Sequence, residues 1–303
     1  MNKEDKKLIE EINKLKKEKD AVILVHNYQR PEIYEVADFI GDSFELSKKA
    51  SEVKSKIIIF CGVSFMAETA KILNPDKTVL IPDRTAGCPM ADMITAEQIK
   101  ELRKKYPNAA VATYVNSNAD VKAVSDVCVT SSNAVKIIGN LPQEEIIFVP
   151  DKNLASYTQS KTSKKIIIWP GFCCVHEKIK PETIVKAKEA HKDAKVIVHP
   201  ECRKEVIALA DAVCSTSQMI TFAKESEAKE FIVVTEEGMV NRLKREVPNK
   251  EFYALGGLCT QMKKITLSSV LNSLKNNVYE VKLSEDMIEK SKNSLLKMLE
   301  LAK

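Results

Sequence analysis

The chain has 303 residues, of which 44% are hydrophobic and 29% charged, a balance typical of a globular protein with a large core. Its net charge of +5 comes from lysine and acidic residues interleaved along the chain, which indicates a solvated surface and argues against nucleic-acid binding. The first 19 residues are charged throughout and no run of 18 apolar residues occurs, so we expect neither a signal peptide nor a membrane span, and a cytoplasmic location. Eight cysteines in such a protein favour metal binding or catalysis over disulfides.

The first third of the chain predicts helices alternating with short buried strands. Residues 2–19 carry apolar side chains at helical spacing. The continuous apolar run 21–25 predicts a buried parallel strand. Residues 56–68 predict a second strand with the start of a helix, and residues 78–83 predict a third strand that leads to Cys88.

The same order of elements occurs three times. Each unit has a polar residue at the end of its first strand and a hydroxyl 17 residues later, and it ends in a cysteine that lies 85 or 86 residues from the next. These residues are His26, Ser43 and Cys88 in the first unit, Tyr114, Ser131 and Cys173 in the second, and His199, Thr216 and Cys259 in the third. Helices are predicted before the second and third units at 95–109, where Thr95 and Gln98 form a capping box, and at 181–194.

We therefore predict an α/β fold of three homologous small three-layer domains around a pseudo-threefold axis, each with a parallel sheet of three strands. The expected domains are residues 1–94 with the N-terminal helix, residues 95–180, and residues 181–303 with two C-terminal helices at 266–277 and 283–303. Ligands of parallel α/β sheets bind outside the carboxyl ends of the strands. If these edges face one another, one central cavity collects the repeated residues.

Three cysteines at equivalent positions predict a metal cluster at the junction of the units. Three thiolates without a CxxC pair suit a [4Fe–4S] cluster with one open iron, which can act as a Lewis acid. Cys174 adjoins Cys173, and the spacing alone leaves either as the second ligand. The remaining cysteines lie in or beside apolar runs and are expected to be buried small hydrophobes, namely Cys61, Cys128, Cys202 and Cys214.

The three hydroxyls precede helical segments, so each could be a simple N-cap. Three helix N-termini that face one axis would instead form an anion site, for which a phosphate is the best occupant. His26 and His199 have the polar neighbours Tyr28 and Glu201, which favours acid–base or carboxylate-binding roles. Three further polar residues follow the middle strands and could either line the cavity or cap helices. They are Glu68, Asp151 and Glu237. His176 and His191 receive no role.

Ten ordered motifs from about residue 8 to the C-terminus resemble the quinolinate synthase family. They are HNYQ-P (26–31), GDS (41–43), PD-R-x₃-CPMA (82–91), YVN (114–116), TSSNA (130–134), G-x-C-x-VH (171–176), VHPEC (198–202), STSQM (215–219), TEEGM (235–239) and C-x-x-MKKITL (259–267). The resemblance implies condensation of iminoaspartate with dihydroxyacetone phosphate to quinolinate in NAD biosynthesis, with a functional link to an enzyme that produces iminoaspartate. It also implies a three-domain pseudo-threefold fold and a [4Fe–4S] cluster.

The resemblance assigns roles to residues within these motifs. The cluster would be bound by Cys88, Cys173 and Cys259, which favours Cys173 over Cys174. Protons would be moved by Tyr28 and Glu201, with His26 also at the catalytic centre. Substrate would be bound by His26, Ser43, Tyr114, Asn116, Ser131, His199 and Thr216, with the three hydroxyls on the phosphate. Cys174 stands where the family often has an apolar residue or proline, so an alternative or oxidised ligand state stays open.

Two other functions fit the residues without the resemblance. An aconitase-like hydro-lyase would use the same open iron on a small carboxylate, although the three hydroxyls favour a phosphorylated substrate. An iron–sulfur sensor without turnover would be expected to carry a basic or apolar partner surface, and no such stretch is evident in the sequence.

Overall fold

The computed structural model describes residues 2–303, which form three four-stranded sheets. The first sheet has β1 (Ala21–His26), β2 (Phe39–Gly41), β3 (Ile57–Cys61) and β4 (Thr78–Leu80). The second has β5 (Ala110–Tyr114), β6 (Val127–Val129), β7 (Glu145–Val149) and β8 (Lys165–Ile168). The third has β9 (Lys195–Val198), β10 (Ala212–Val213), β11 (Glu230–Val234) and β12 (Glu251–Ala254).

The three sheets share one topology. In each, the first strand lies between the second and the third, and the fourth pairs with the third. All pairs within the sheets are parallel. The prediction of three similar parallel α/β units is therefore confirmed.

The prediction of three strands in each sheet is wrong, because a short second strand was missed. This strand is three residues long in the first two units and two residues long in the third, which is too short for a periodic pattern. It pairs with the end of the first strand, as in the register of His26 with Gly41. The pairing places the residues after the second strand beside the carboxyl end of the first.

Within the described part of the chain, residues 2–303, fourteen α-helices surround the sheets. They are α1 (Lys3–Glu18), α2 (Ser43–Glu52), α3 (Ser64–Leu73), α4 (Ala96–Lys105), α5 (Ala119–Ala123), α6 (Ala134–Asn140), α7 (Lys152–Gln159), α8 (Cys174–Glu177), α9 (Pro181–Ala190), α10 (Lys204–Ile207), α11 (Thr216–Glu225), α12 (Gly238–Glu246), α13 (Leu267–Asn276) and α14 (Glu285–Leu301). Short 3₁₀ helices occupy Pro31–Val36, Ala91–Met93 and Met262–Lys264. The predicted capping box of Thr95 with Gln98 is present at α4. Among residues 2–303, no helix combines the length and the apolar character needed to cross a lipid bilayer.

The two C-terminal helices pack away from the third sheet. Helix α13 packs against α1 of the first unit, and α14 packs against α5 and β6 of the second unit and α3 of the first. Ser294 on α14 donates a hydrogen bond of 2.9 Å to the carbonyl of Lys122, which is fully buried. Through these contacts α14 connects the first unit to the second.

Candidate active site

One cavity lies where the carboxyl ends of the three sheets meet. Residues from all three units line it, as a pseudo-threefold arrangement requires. Every residue predicted for a site is on its wall, namely His26, Tyr28, Ser43, Cys88, Tyr114, Asn116, Ser131, Cys173, His199, Glu201, Thr216 and Cys259.

Close polar contacts join five side chains along the cavity wall. The Tyr28 hydroxyl lies 2.6 Å from the Thr235 hydroxyl, which lies 2.8 Å from Nε2 of His176. Nδ1 of His176 lies 2.8 Å from Oε2 of Glu201, and the Tyr114 hydroxyl donates to Oε1 of the same carboxylate at 2.5 Å. The chain thus joins a phenol on the first unit to a carboxylate on the third, and it can pass a proton between them.

Burial and neighbouring charges set opposite protonation states at the two ends of this chain. Burial raises the pKa of Tyr28 well above its ordinary value, and the negative charge of Glu201 adds to the effect. Burial also raises the pKa of Glu201, but His176, His199 and the Tyr114 hydroxyl oppose it more strongly, so that this pKa falls to about 2. At neutral pH Tyr28 is therefore a neutral acid, and Glu201 is a carboxylate that can accept a proton.

Sequence reasoning missed two members of the chain. Thr235 is fully buried at the end of β11, and His176 is 1% exposed on α8. Both lie inside motifs that the sequence analysis quotes, TEEGM and G-x-C-x-VH, but a threonine after a strand and a histidine on a short helix carry no pattern of their own. Their pairing depends on contact between the second and third units.

The two strand-end histidines have matching environments. Nδ1 of His26 accepts from the backbone N–H of Tyr28 at 3.1 Å, and Nδ1 of His199 accepts from that of Glu201 at 3.3 Å. Burial lowers the pKa of each imidazole to about 3, and Lys263 adds to the effect at His26. Both rings are therefore neutral with the proton on Nε2, which leaves one N–H donor on each for a ligand oxygen.

The alternative that the repeated hydroxyls are simple N-caps is wrong. The N-cap of α2 is Asp42, whose side chain accepts from the backbone of Phe44 and Glu45, and the N-cap of α11 is Ser215. Ser43 and Thr216 are instead the first residues of these helices, and Ser131 precedes α6 by three positions. Because the caps already satisfy amides of α2 and α11, the hydroxyls are the better candidates for binding an anion.

Hydrogen bonds between the first and third units fix this side of the cavity. Asn27 donates to the Thr216 hydroxyl at 2.9 Å, and Ser215 donates to Oδ2 of Asp42 at 3.2 Å. On the second unit, Oδ1 of Asn116 is buried and has no hydrogen-bond partner within residues 2–303. Buried polar atoms are normally paired, so this oxygen is a candidate for contact with a bound molecule.

The three cysteines have a common local structure. Each lies just before a helical turn: Cys173 is the N-cap of α8, and Cys88 and Cys259 each lie three residues before a 3₁₀ helix. Burial raises the pKa of all three thiols, to about 12 for Cys88. All three cysteines line the same cavity. Nearby backbone N–H groups oppose this rise in pKa, namely those of Met90 and Ala91 at Cys88, His176 at Cys173, and Gln261 and Met262 at Cys259.

Other cysteines and carboxylates have distinct positions. Cys174 is exposed and also lines the cavity, whereas Cys61, Cys128, Cys202 and Cys214 are buried as expected. Among the carboxylates with open assignments, Asp151 caps α7 and accepts from Cys173 N at 3.1 Å, and Glu68 accepts from Ala119 N at 2.9 Å. Glu237 makes no capping hydrogen bond, and its neighbour Glu236 lines the cavity instead.

A second group of potential metal ligands overlaps the acid–base chain. Cys173, His176 and Glu201 place one ligand atom each within 4.8 Å of the others. The cavity therefore combines general acid–base groups with thiol, imidazole and carboxylate ligands. The fold and this site define an α/β enzyme whose active site is suited to metal binding.

Comparison with known proteins identifies the family. The family model described as "Quinolinate synthetase A protein" matches residues 10–300. Quinolinate synthases from Caldicellulosiruptor saccharolyticus, Thermodesulfovibrio yellowstonii and Clostridioides difficile are 54%, 53% and 51% identical to this chain. These alignments cover 98%, 97% and 98% of this chain and 99%, 98% and 99% of the relatives.

The chain belongs to the quinolinate synthase family. It is an enzyme with a role in NAD biosynthesis, which decides against the sensor and hydro-lyase alternatives. One solved structure, the E-1-hydroxy-2-methyl-but-2-enyl-4-diphosphate reductase from Plasmodium falciparum, aligns over 90% of this chain and 94% of that chain. Its TM-score of 0.36 and identity of 14% are too low to support a conclusion.

Proposed function

We propose that this enzyme condenses iminoaspartate with dihydroxyacetone phosphate to form quinolinate, phosphate and two waters. The observation that carries the proposal is the meeting of three equivalent cysteines with the Tyr28–Glu201 acid–base chain on the wall of one cavity. The reaction needs repeated proton transfers and the loss of water and phosphate. These requirements match an acid, a base and hydroxyl donors in a single site.

The residues present fit a [4Fe–4S] cluster bound by Cys88, Cys173 and Cys259. Three thiols from three loops line one cavity, and backbone N–H groups near each sulfur act to lower its pKa, which favours a thiolate. Because burial keeps these thiols protonated without metal, binding would release their protons. When bound, the cluster would supply an open iron that acts as a Lewis acid on a substrate oxygen.

The two substrates carry carboxylates, a carbonyl and a phosphate, and the cavity offers donors for each. Ser43, Ser131 and Thr216 would donate to the phosphate, because their hydroxyls are not used as helix caps. Nε2–H of His26 and His199 would donate to carboxylate or carbonyl oxygens. Donors for the remaining polar atoms would come from Tyr114 and Asn116.

Proton movement would run along the chain from Tyr28 to Glu201. Glu201 would take a proton from a substrate carbon or nitrogen, because its lowered pKa keeps it ionised. Tyr28 would give a proton to a leaving hydroxyl and regain one through Thr235 and His176. His26 would stay at the centre as a neutral donor that orients substrate beside Tyr28.

Anaerobic purification followed by iron and sulfide analysis tests the cluster. About four irons per chain with visible absorption are expected for the parent and for Cys202→Ser, which changes a buried cysteine outside the site. Loss of the absorption is expected in Cys88→Ser, Cys173→Ser and Cys259→Ser. Retention in Cys173→Ser with loss in Cys174→Ser would move the ligand to Cys174.

Turnover is measured as quinolinate formed from iminoaspartate and dihydroxyacetone phosphate. Product from the iron-loaded parent is expected, with little or none from the three cysteine variants. Four irons without product from these two substrates would contradict the proposed substrates. No iron after reconstitution would contradict the cluster.

A further inference from the structure

A buried ion pair connects the third cysteine with the tyrosine of the acid–base chain. Glu236 is 1% exposed, and its oxygens lie 3.0 and 3.2 Å from Nζ of Lys263. The same carboxylate accepts from the backbone N–H of Cys259 at 3.0 Å and of Gly238 at 2.8 Å. Lys263 Nζ also donates to the carbonyl oxygen of Tyr28.

The space around this ammonium group is kept free by a glycine. A Cβ atom at Gly238 would lie 2.5 Å from Nζ of Lys263 and 2.9 Å from the carbonyl oxygen of Tyr28. Any side chain there would displace the lysine from its two partners. Gly238, the first residue of α12, therefore lies directly against the ion pair and leaves no room for a side chain.

The second unit shows that a cysteine loop can be held without a lysine. Asp151 accepts from the backbone N–H of Cys173 at 3.1 Å and of Leu154 at 2.6 Å, and it makes no ion pair within residues 2–303. In the first unit a backbone hydrogen bond from Ser64 to Ala86 precedes Cys88. Burying an ion pair costs desolvation, so the lysine of the third unit needs a reason beyond holding its cysteine loop.

That reason is the second contact of Lys263, its hydrogen bond to the backbone carbonyl of Tyr28. The hydroxyl of Tyr28 is held by Thr235, and its carbonyl is held by Lys263, whose partner Glu236 directly follows Thr235 in sequence. Arg30, two residues after Tyr28, donates to the carbonyl of Lys263 at 2.9 Å. Two hydrogen bonds thus join the loop that carries Tyr28 to the turn that follows Cys259, and each segment donates one of them.

We propose that Lys263 and Glu236 are positioning residues that fix Tyr28 at a set distance from the Cys259 turn. This role rests on the proposed reaction, in which Tyr28 is the proton donor. The two residues hold Tyr28 in a fixed position relative to the metal-binding Cys259. Neither residue moves a proton itself. Misplacement of a reacting group by about 1 Å is enough to lower a rate by about two orders of magnitude.

Hydrogen–deuterium exchange tests the anchoring without reference to the reaction. Lys263→Met keeps the length of the side chain and removes its donors. We expect exchange in peptides that contain residues 27–30 to become at least about tenfold faster, because the loop loses its anchor. Lys263→Arg should restore slow exchange, and Lys264→Met, which removes a neighbouring lysine bonded to Thr85 O at 2.7 Å, should leave residues 27–30 unchanged.

The kinetic test uses the iron-loaded protein. Lys263→Met should lower kcat about tenfold or more with KM within about twofold, while iron content stays at the parent level. If Lys263→Met does not fold, Glu236→Gln combined with Lys263→Met removes both buried charges and is judged by the same criteria. Unchanged exchange at residues 27–30, or equal loosening in Lys264→Met, would overturn the proposal. If the parent forms no quinolinate, the proposed function fails, and the exchange data still decide whether the pair anchors Tyr28.

Discussion

Replacing Thr235 by valine isolates the contribution of the central hydroxyl in the acid–base chain. Valine has the same shape as threonine, so the buried packing at the end of β11 stays filled. The change removes two hydrogen bonds, of 2.6 Å to the Tyr28 hydroxyl and of 2.8 Å to Nε2 of His176. Both partners are left in a buried site, where Tyr28 can no longer regain a proton through His176.

The expected loss of rate follows from these two hydrogen bonds. A neutral hydrogen bond contributes about 1 kcal/mol net, and leaving a buried partner unsatisfied costs about 1–3 kcal/mol. A total near 3 kcal/mol in the transition state corresponds to about a hundredfold lower kcat. KM should change little, because Thr235 is not on the cavity wall.

Steady-state formation of quinolinate by iron-loaded Thr235→Val measures this effect. Thr235→Ser keeps the hydroxyl and should stay within a few-fold of the parent. Thr158→Val is the matched control for stability, since Thr158 is fully buried on α7 and its hydroxyl donates only to the carbonyl of Leu154 at 2.8 Å. A Thr235→Val enzyme with more than half of the parent kcat would refute the proton path through Thr235.

Three further variants test charge and burial. Glu201→Gln should keep the iron but lower kcat by about two orders of magnitude or more, because it removes the base, and near-normal turnover would exclude Glu201 from the mechanism. Burial and the charge of Glu45 raise the pKa of Asp42 from 3.8 to about 6. Between these pH values the folded chain keeps a proton that the unfolded chain releases, so the stability of the folded state falls as the pH rises through this range. The stability advantage of Asp42→Asn should therefore grow by up to about 3 kcal/mol between pH 4 and pH 7.5 in urea unfolding of the metal-free protein, and a pH-independent difference would contradict this. Lys122 is fully buried and donates to the carbonyls of Ser117 and Phe65, so Lys122→Met should cost about 3 kcal/mol in the same assay, whereas the exposed Lys104→Met should cost under about 1 kcal/mol.

The chain order of residues was sufficient to predict the repeated architecture. Apolar runs such as 21–25 and 146–149 are buried on both faces of their sheets and therefore lack the alternation of a surface strand. The nearly equal spacing of Cys88, Cys173 and Cys259 then indicated three copies of one unit. The short strands β2, β6 and β10 were missed because two or three residues carry no period, and only pairing with a longer neighbour makes them strands.

The predicted site residues lie around one cavity, and their individual roles stay predictions. Position along the chain indicated them because parallel strands of equivalent units end at one edge. The capping alternative for Ser43 and Thr216 is wrong for a local reason: the residue before each hydroxyl, Asp42 or Ser215, also has a capping side chain and takes that role. Only backbone geometry distinguishes two adjacent capping candidates.

The sequence by itself determined the class of fold, the three equivalent cysteines and the residues at the strand ends, because these depend on local pattern and on repetition. Tertiary structure alone decided how the units share one acid–base chain. Tyr28 belongs to the first unit, His176 follows the second sheet, and Thr235 and Glu201 belong to the third. Hydrogen bonds between residues that are 59 or 207 positions apart leave no periodic trace in the chain. They exist because packing of the three units brings these side chains together in a buried space, where polar groups must find partners.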